Sequence, residues 1–136
     1  MTAGPPRPRV LLADDDPGIC RAITRLLSQS CDVVGTAVDT ETLLDLAART
    51  RPDVLLLDFS LPGDLNGLEV CRRVKATLPE IHVVVFTAND DADLQRLARE
   101  VGATGFVWKP QAWTDLVPTI QAVLGRTTPP ARPDEG

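Results

Sequence analysis

Five short runs rich in valine and leucine, "RVLLA", "DVVGTAV", "DVLLLD", "HVVVFT" and "GFVWK", recur between Arg9 and Lys109, with amphipathic segments between them. Apolar runs this short read as strands covered on both faces, and the amphipathic stretches as the helices that cover them. The spacing predicts helices starting near Pro17, Thr40, Gly67, Asp90 and Thr114, which makes five βα units in series. An α/β domain follows, with a five-stranded parallel sheet between two layers of helices.

With 136 residues, 43% of them hydrophobic, the chain suits one compact domain. The proline-rich stretches "TAGPPRP" and "GRTTPPARPDEG" read as a flexible leader over 1–8 and a flexible tail or linker over 126–136, which leaves 9–125 as the folded unit. A net charge of −5 argues against a protein that grips phosphate backbones through clustered lysine and arginine, so no direct nucleic-acid binding by this domain is expected. Cys20, Cys31 and Cys71 are odd in number and lack CxxC spacing, the pattern of reduced thiols rather than of a zinc site. No apolar stretch is long enough to span a bilayer, and the amino-terminal residues lack the apolar core of a signal peptide. A cytoplasmic protein without membrane association is expected.

In an open α/β sheet, ligands sit beyond the carboxyl ends of the strands. Strand one runs into Asp14 and Asp15, strand three ends in Asp58, strand four in Thr87, and strand five in Lys109 followed by Pro110. Asp16 stands apart from its neighbours: followed by Pro17, it reads as the N-cap of the first helix. Asp14, Asp15 and Asp58 converging on one edge favour a hard divalent cation with oxygen ligands, Mg²⁺ above all. His82 has no second histidine or cysteine nearby in sequence and reads as structural.

The segments "LLADDDPGICRAI", "PDVLLLDFSLPG", "NGLEV", "VVVFTA" and "GATGFVWKP" resemble, in order and near spacing, the receiver domains of two-component response regulators. The resemblance covers nearly the whole folded unit. It implies a flavodoxin-like (βα)5 three-layer sandwich with strand order 2-1-3-4-5. It makes Asp58 the phosphoacceptor and Asp15 a direct ligand of Mg²⁺, or of Mn²⁺ in its place. Asp14 would hold a metal-bound water, and the carbonyl of Ser60 would be another ligand. Thr87 and Lys109 would bind the phosphoryl group, Phe106 would be the switch aromatic, and the peptide between Lys109 and Pro110 would be cis.

The implied function is a phosphorelay step. A histidine kinase or phosphotransfer protein donates a phosphoryl group, and the face of strands and helices four and five then changes its affinity for a downstream target, an output domain or a second copy of the chain. Catalysis by the domain would be limited to its own phosphorylation and dephosphorylation. One alternative is the receiver portion of a DNA-binding transcriptional regulator. Another is a haloacid dehalogenase-type phosphohydrolase, but that chemistry wants a second aspartate two residues after the nucleophile, where this chain has Ser60.

Two departures stand out. The turn "DFSLPGDLNG" carries one residue more between Pro62 and Gly67 than the family spacing, with altered partner contacts and intact chemistry expected. Pro118 in "TDLVPTIQAVL" predicts a late start for the last helix, near Thr114 or Asp115, because a proline deep in a helix costs about 3 kcal/mol or more. Trp108, two residues from Phe106, is expected on the same side of its strand, and Trp113 follows just past the strand.

Overall fold

The computed structural model describes residues 7–125. Five parallel strands, β1 (Arg9–Ala13), β2 (Asp32–Ala37), β3 (Val54–Asp58), β4 (His82–Thr87) and β5 (Gly105–Trp108), form one sheet in the order β2-β1-β3-β4-β5. The helices are α1 (Pro17–Leu27), α2 (Thr40–Thr50), α3 (Gly67–Thr77), α4 (Ala92–Glu100) and α5 (Ala112–Val123). This is the flavodoxin-like architecture that the sequence implies.

Strand alternation sends side chains to two separate cores. Leu11, Leu55, Leu57, Val83 and Val85 face α2, α3 and α4. Val10, Leu12, Leu56, Val84 and Phe86 face α1 and α5. With both sheet faces buried, β1, β3 and β4 need no polar residues before their carboxyl ends, which is why charge appears abruptly there.

Four helices begin with a side-chain cap. Asp16, Asp39, Asn66 and Asp91 each accept amides of the first turn of α1, α2, α3 and α4. Asp16 takes the amides of Gly18 and Ile19, with Pro17 in the first turn, as expected.

The fifth helix corrects two expectations. It starts at Ala112, earlier than Thr114, and Pro118 lies inside it. Burying Leu116 and Ile120 stabilises about 1.5–3 kcal/mol each, enough to offset the proline's cost of about 3 kcal/mol. Pro118 and Thr114, whose carbonyl loses its partner, both lie on the exposed side. The peptide between Lys109 and Pro110 is trans, not cis, as are all peptides among the described residues. Lys109–Gln111 forms a 3-10 turn that runs directly into α5, and the Ala112 amide closes it on the Lys109 carbonyl. A trans Pro110 sits at the start of that turn, where its missing donor leaves no bond unmade, and trans is favoured by about 0.5–1 kcal/mol.

At the opposite edge of the sheet, Arg7 clips the entering chain. Its guanidinium donates to Asp32 and to the carbonyls of Ser28 and Cys31. The Asp32 amide also donates to the Pro8 carbonyl. The remaining leader residues, 1–6, and the tail, 126–136, lie outside the described residues. None of the described helices is long and apolar enough to cross a membrane.

Candidate functional site

The carboxyl ends of β1, β3, β4 and β5 bring Asp14, Asp15, Asp58, Thr87 and Lys109 to one edge. Asp14, Asp58 and Thr87 are buried, whereas Asp15 is exposed. Adjacent strands β1 and β3 set the first two opposite each other, since Ala13 pairs with Leu57 just before them. Asp14, Asp15 and Asp58 each offer an oxygen within 4.8 Å of the others.

Two buried carboxylates at this spacing repel and need compensation. Lys109 supplies it: Nζ lies 2.7 Å from Asp14 Oδ2 and 3.2 Å from Asp58 Oδ2. The ammonium also rests 5.1 Å from the centre of the Phe86 ring, within reach of a cation–π attraction. Each acid has one further donor. The Asp16 amide donates to Asp14 Oδ1 and the Ser60 amide to Asp58 Oδ1, both at 2.9 Å.

Burial pushes the Asp58 carboxyl above the usual range, although the Ser60 amide and the Lys109 charge pull it down. Burial alone would lower Lys109, but the hydrogen bond to Asp14 and the charges of Asp58 and Asp14 outweigh it, so the ammonium is held more firmly than usual. The Cys20 thiol, 3.2 Å from the Asp14 carbonyl, is raised by burial and then by Asp14, and stays protonated.

The donor set fits a hard divalent cation: three carboxylates, one of them exposed to bulk water, and no sulfur or imidazole among them. Ser60 sits in the turn just after Asp58, beside the same edge. Thr87 closes β4, and its hydroxyl accepts the Asn89 amide at 3.1 Å, which leaves its proton available. A groove of about 350 Å³ lined by Phe59, Ser60, Asn66, Thr87 and Asn89 opens alongside.

Phe106 packs partly buried against the α2–α4 face of the sheet. Trp108 donates its indole N–H to the Ala88 carbonyl at 2.9 Å, which ties the end of β5 to the loop after β4. Trp113, at 64% exposure, stands outside the core. His82 is partly buried at the start of β4, at the far edge from the acids, and burial lowers its pKa.

Sequence reasoning missed Phe86 beneath Lys109; its place next to Thr87 was the available signal. It also missed Glu41, on α2, whose carboxylate holds the loop after β3.

The sequence model described as the response regulator receiver domain matches residues 10–121. The chain belongs to that family. It is 36% identical over 126 residues to response regulator MprA of Mycobacterium sp. (strain KMS), covering 93% of this chain and 54% of that protein. The chain thus spans about half the length of the curated relatives it matches. Among solved structures, a LuxR-family two-component response regulator from an Aurantimonas species superposes with a TM-score of 0.83 at 29% identity, covering 92% of this chain and 91% of the other. The isolated REC domain of RcsB from Salmonella enterica serovar Typhimurium, determined with the phosphomimetic BeF3⁻, gives 0.82 at 27% identity, over 88% and 90% of the two chains. A receiver domain is a signal-transduction module of two-component systems, and the acidic edge of this one lies where an α/β sheet places its ligands.

Proposed function

We propose that this receiver domain accepts a phosphoryl group on Asp58 in a Mg²⁺-dependent reaction and thereby switches a partner-binding surface. The observation that supports it best is the buried carboxylate of Asp58, flanked by Asp14 and held by Lys109 at 3.2 Å. Asp14, Asp15 and Asp58, with the Ser60 carbonyl, would hold the metal. Bound there, Mg²⁺ supplies positive charge that offsets the approach of an anionic phosphoryl group to an acidic pocket.

The chain's own residues do the rest. An oxygen of Asp58 attacks phosphorus; the new P–O bond forms as the P–N bond to the donor histidine breaks, and the departing imidazole takes up a proton. With a small donor such as acetyl phosphate, the bond that breaks is P–O, and acetate leaves. Lys109, already charged and aimed at Asp58, turns to a phosphoryl oxygen. Thr87 has a free hydroxyl proton to donate to another, Trp108 is bonded to the loop after β4, and Phe106, two residues earlier on β5, would be the switch aromatic.

A histidine kinase or phosphotransfer protein is the donor this chemistry calls for, and the face of β4, β5, α4 and α5 is the proposed output surface. The half-length match to MprA favours work as the receiver portion of a longer regulator. The absence of a second acid at Ser60 counts against turnover as a phosphohydrolase. The test is incubation with acetyl phosphate and Mg²⁺ followed by intact-mass spectrometry. One labile phosphoryl adduct is expected, lost in Asp58→Asn; equal labelling of that variant refutes the assignment.

A further inference from the structure

The extra residue between Pro62 and Gly67 lengthens the loop that follows the acceptor, and that loop is strapped to the start of α2. Leu61 is buried, and its amide donates to the Asp58 carbonyl. Beyond it, the Thr40 amide donates to the Pro62 carbonyl at 2.9 Å. Oε2 of Glu41 then accepts two donors at once, the Thr40 hydroxyl at 2.8 Å and the Asp64 amide at 3.1 Å. Between these anchors Gly63 adopts a φ of 141°, and a Cβ there would fall 2.0 Å from the Thr40 hydroxyl oxygen. The loop lies directly on α2 because a glycine stands at that point.

Among the described residues, Glu41 is the one side chain that binds the loop backbone between Leu61 and Leu65. Thr40 itself is buried, so the contact rests on a fixed part of α2. The strap begins two residues past Ser60, whose amide already bonds Asp58. Glu41 thus adds a third fastening to those of the Leu61 amide and the Pro62 carbonyl, on the far side of Gly63 from Ser60.

We propose that Glu41 is a positioning residue for the metal site. Its carboxylate takes up the longer loop and keeps Ser60 in register with Asp58. This rests on the reading that Ser60 presents a carbonyl to Mg²⁺. Glu41 is exposed and touches none of the reacting groups, so its effect is on the order of the loop and not on charge at the edge.

The experiment uses the whole chain as wild type, Glu41→Ala and Glu41→Gln. Mg²⁺ affinity is measured by calorimetric titration, and protection of the Asp64 amide by hydrogen exchange without metal. Glu41→Ala is expected to weaken Mg²⁺ binding roughly three- to tenfold, the range of one lost hydrogen bond, and to expose the Asp64 amide to exchange. Glu41→Gln keeps an oxygen that accepts both donors and should restore both readouts to near wild type. Unchanged Mg²⁺ affinity in Glu41→Ala overturns the proposal, and so does unchanged Asp64 protection. A wild-type chain that binds no Mg²⁺ overturns instead the metal reading on which it rests.

Discussion

Lys109→Met removes the ammonium between two buried carboxylates and keeps an unbranched stem above Phe86. In the native domain that ammonium is 2.7 Å from Asp14 and 3.2 Å from Asp58, whose side chains are only 1% and 4% exposed. Removing one partner of a buried ion pair costs about 3–5 kcal/mol. The lysine side chain is itself 18% exposed and Asp58, already raised by burial, can take up a proton, so the expected loss is about 3 kcal/mol near neutral pH, at the low end of that range. For a domain of this size the loss corresponds to a fall in Tm of roughly 8–15 °C.

The sign of the pH dependence separates charge from packing. Asp58 is already raised by burial, and without the Lys109 charge that pulls it down it should rise further, so the folded variant binds more protons than its unfolded chain. Its deficit is then smallest around pH 4, near the unfolded aspartate value, and grows as pH rises through the raised Asp58 value. Wild-type Lys109 has a raised pKa, and its stabilising contribution is present below the unfolded lysine value and lost only in strongly alkaline solution. Mg²⁺ should substitute for the missing charge: at a hundred times its Kd a ligand adds about 2.7 kcal/mol, and its affinity should increase in the variant because a competing cation is gone. Thermal unfolding of both proteins, in acid and neutral buffer with and without Mg²⁺, gives the four comparisons. A deficit of constant size in all four would show that the stem of Lys109 matters and its charge does not.

Two further outcomes are expected. Asp15→Asn should weaken Mg²⁺ binding more than Asp16→Ala, which removes the α1 cap and should cost about 0.5–2 kcal/mol in thermal or denaturant unfolding; the opposite order in metal titration would contradict the division of the acidic triplet. Addition of Mg²⁺ with beryllofluoride should change the tryptophan emission, and the response should fade in Trp108→Phe, whose indole is bonded to the loop after β4, and persist in Trp113→Phe. A response lost only in Trp113→Phe would place the output at α1 and α5 instead.

The strand ends were legible because burial on both faces makes β1, β3 and β4 apolar from their second residue (Val10, Leu55, Val83) up to the carboxyl edge, so a sudden acid, threonine or lysine marks that edge. Asp14, Asp15 and Asp58 could be grouped on that ground alone. The isomer at Pro110 could not, since it follows from the 3-10 turn of Lys109–Gln111, and that turn depends on how α5 seats Leu116 and Ile120. The same packing hid the start of α5: a local cost at Pro118 was visible in the sequence, the tertiary gain that outweighs it was not. Glu41 and Asp64 meet across 23 residues with no periodic signal between them, and only the odd length of the loop hinted that something must hold it. How far Lys109 leans over Phe86 is likewise a matter of three-dimensional packing, which spacing along the chain does not encode.

The clip made by Arg7 has a practical side. It fixes the point where the chain enters the domain at the edge where β1 starts, and α5, running back along the sheet from the end of β5, finishes toward that same edge. Arg7 and Gly125, the first and last described residues, therefore lie on the side away from Asp58. A fluorophore or surface tether placed at Gly125 itself therefore leaves the acidic edge clear, so that a soluble phosphodonor meets the same access with it as without.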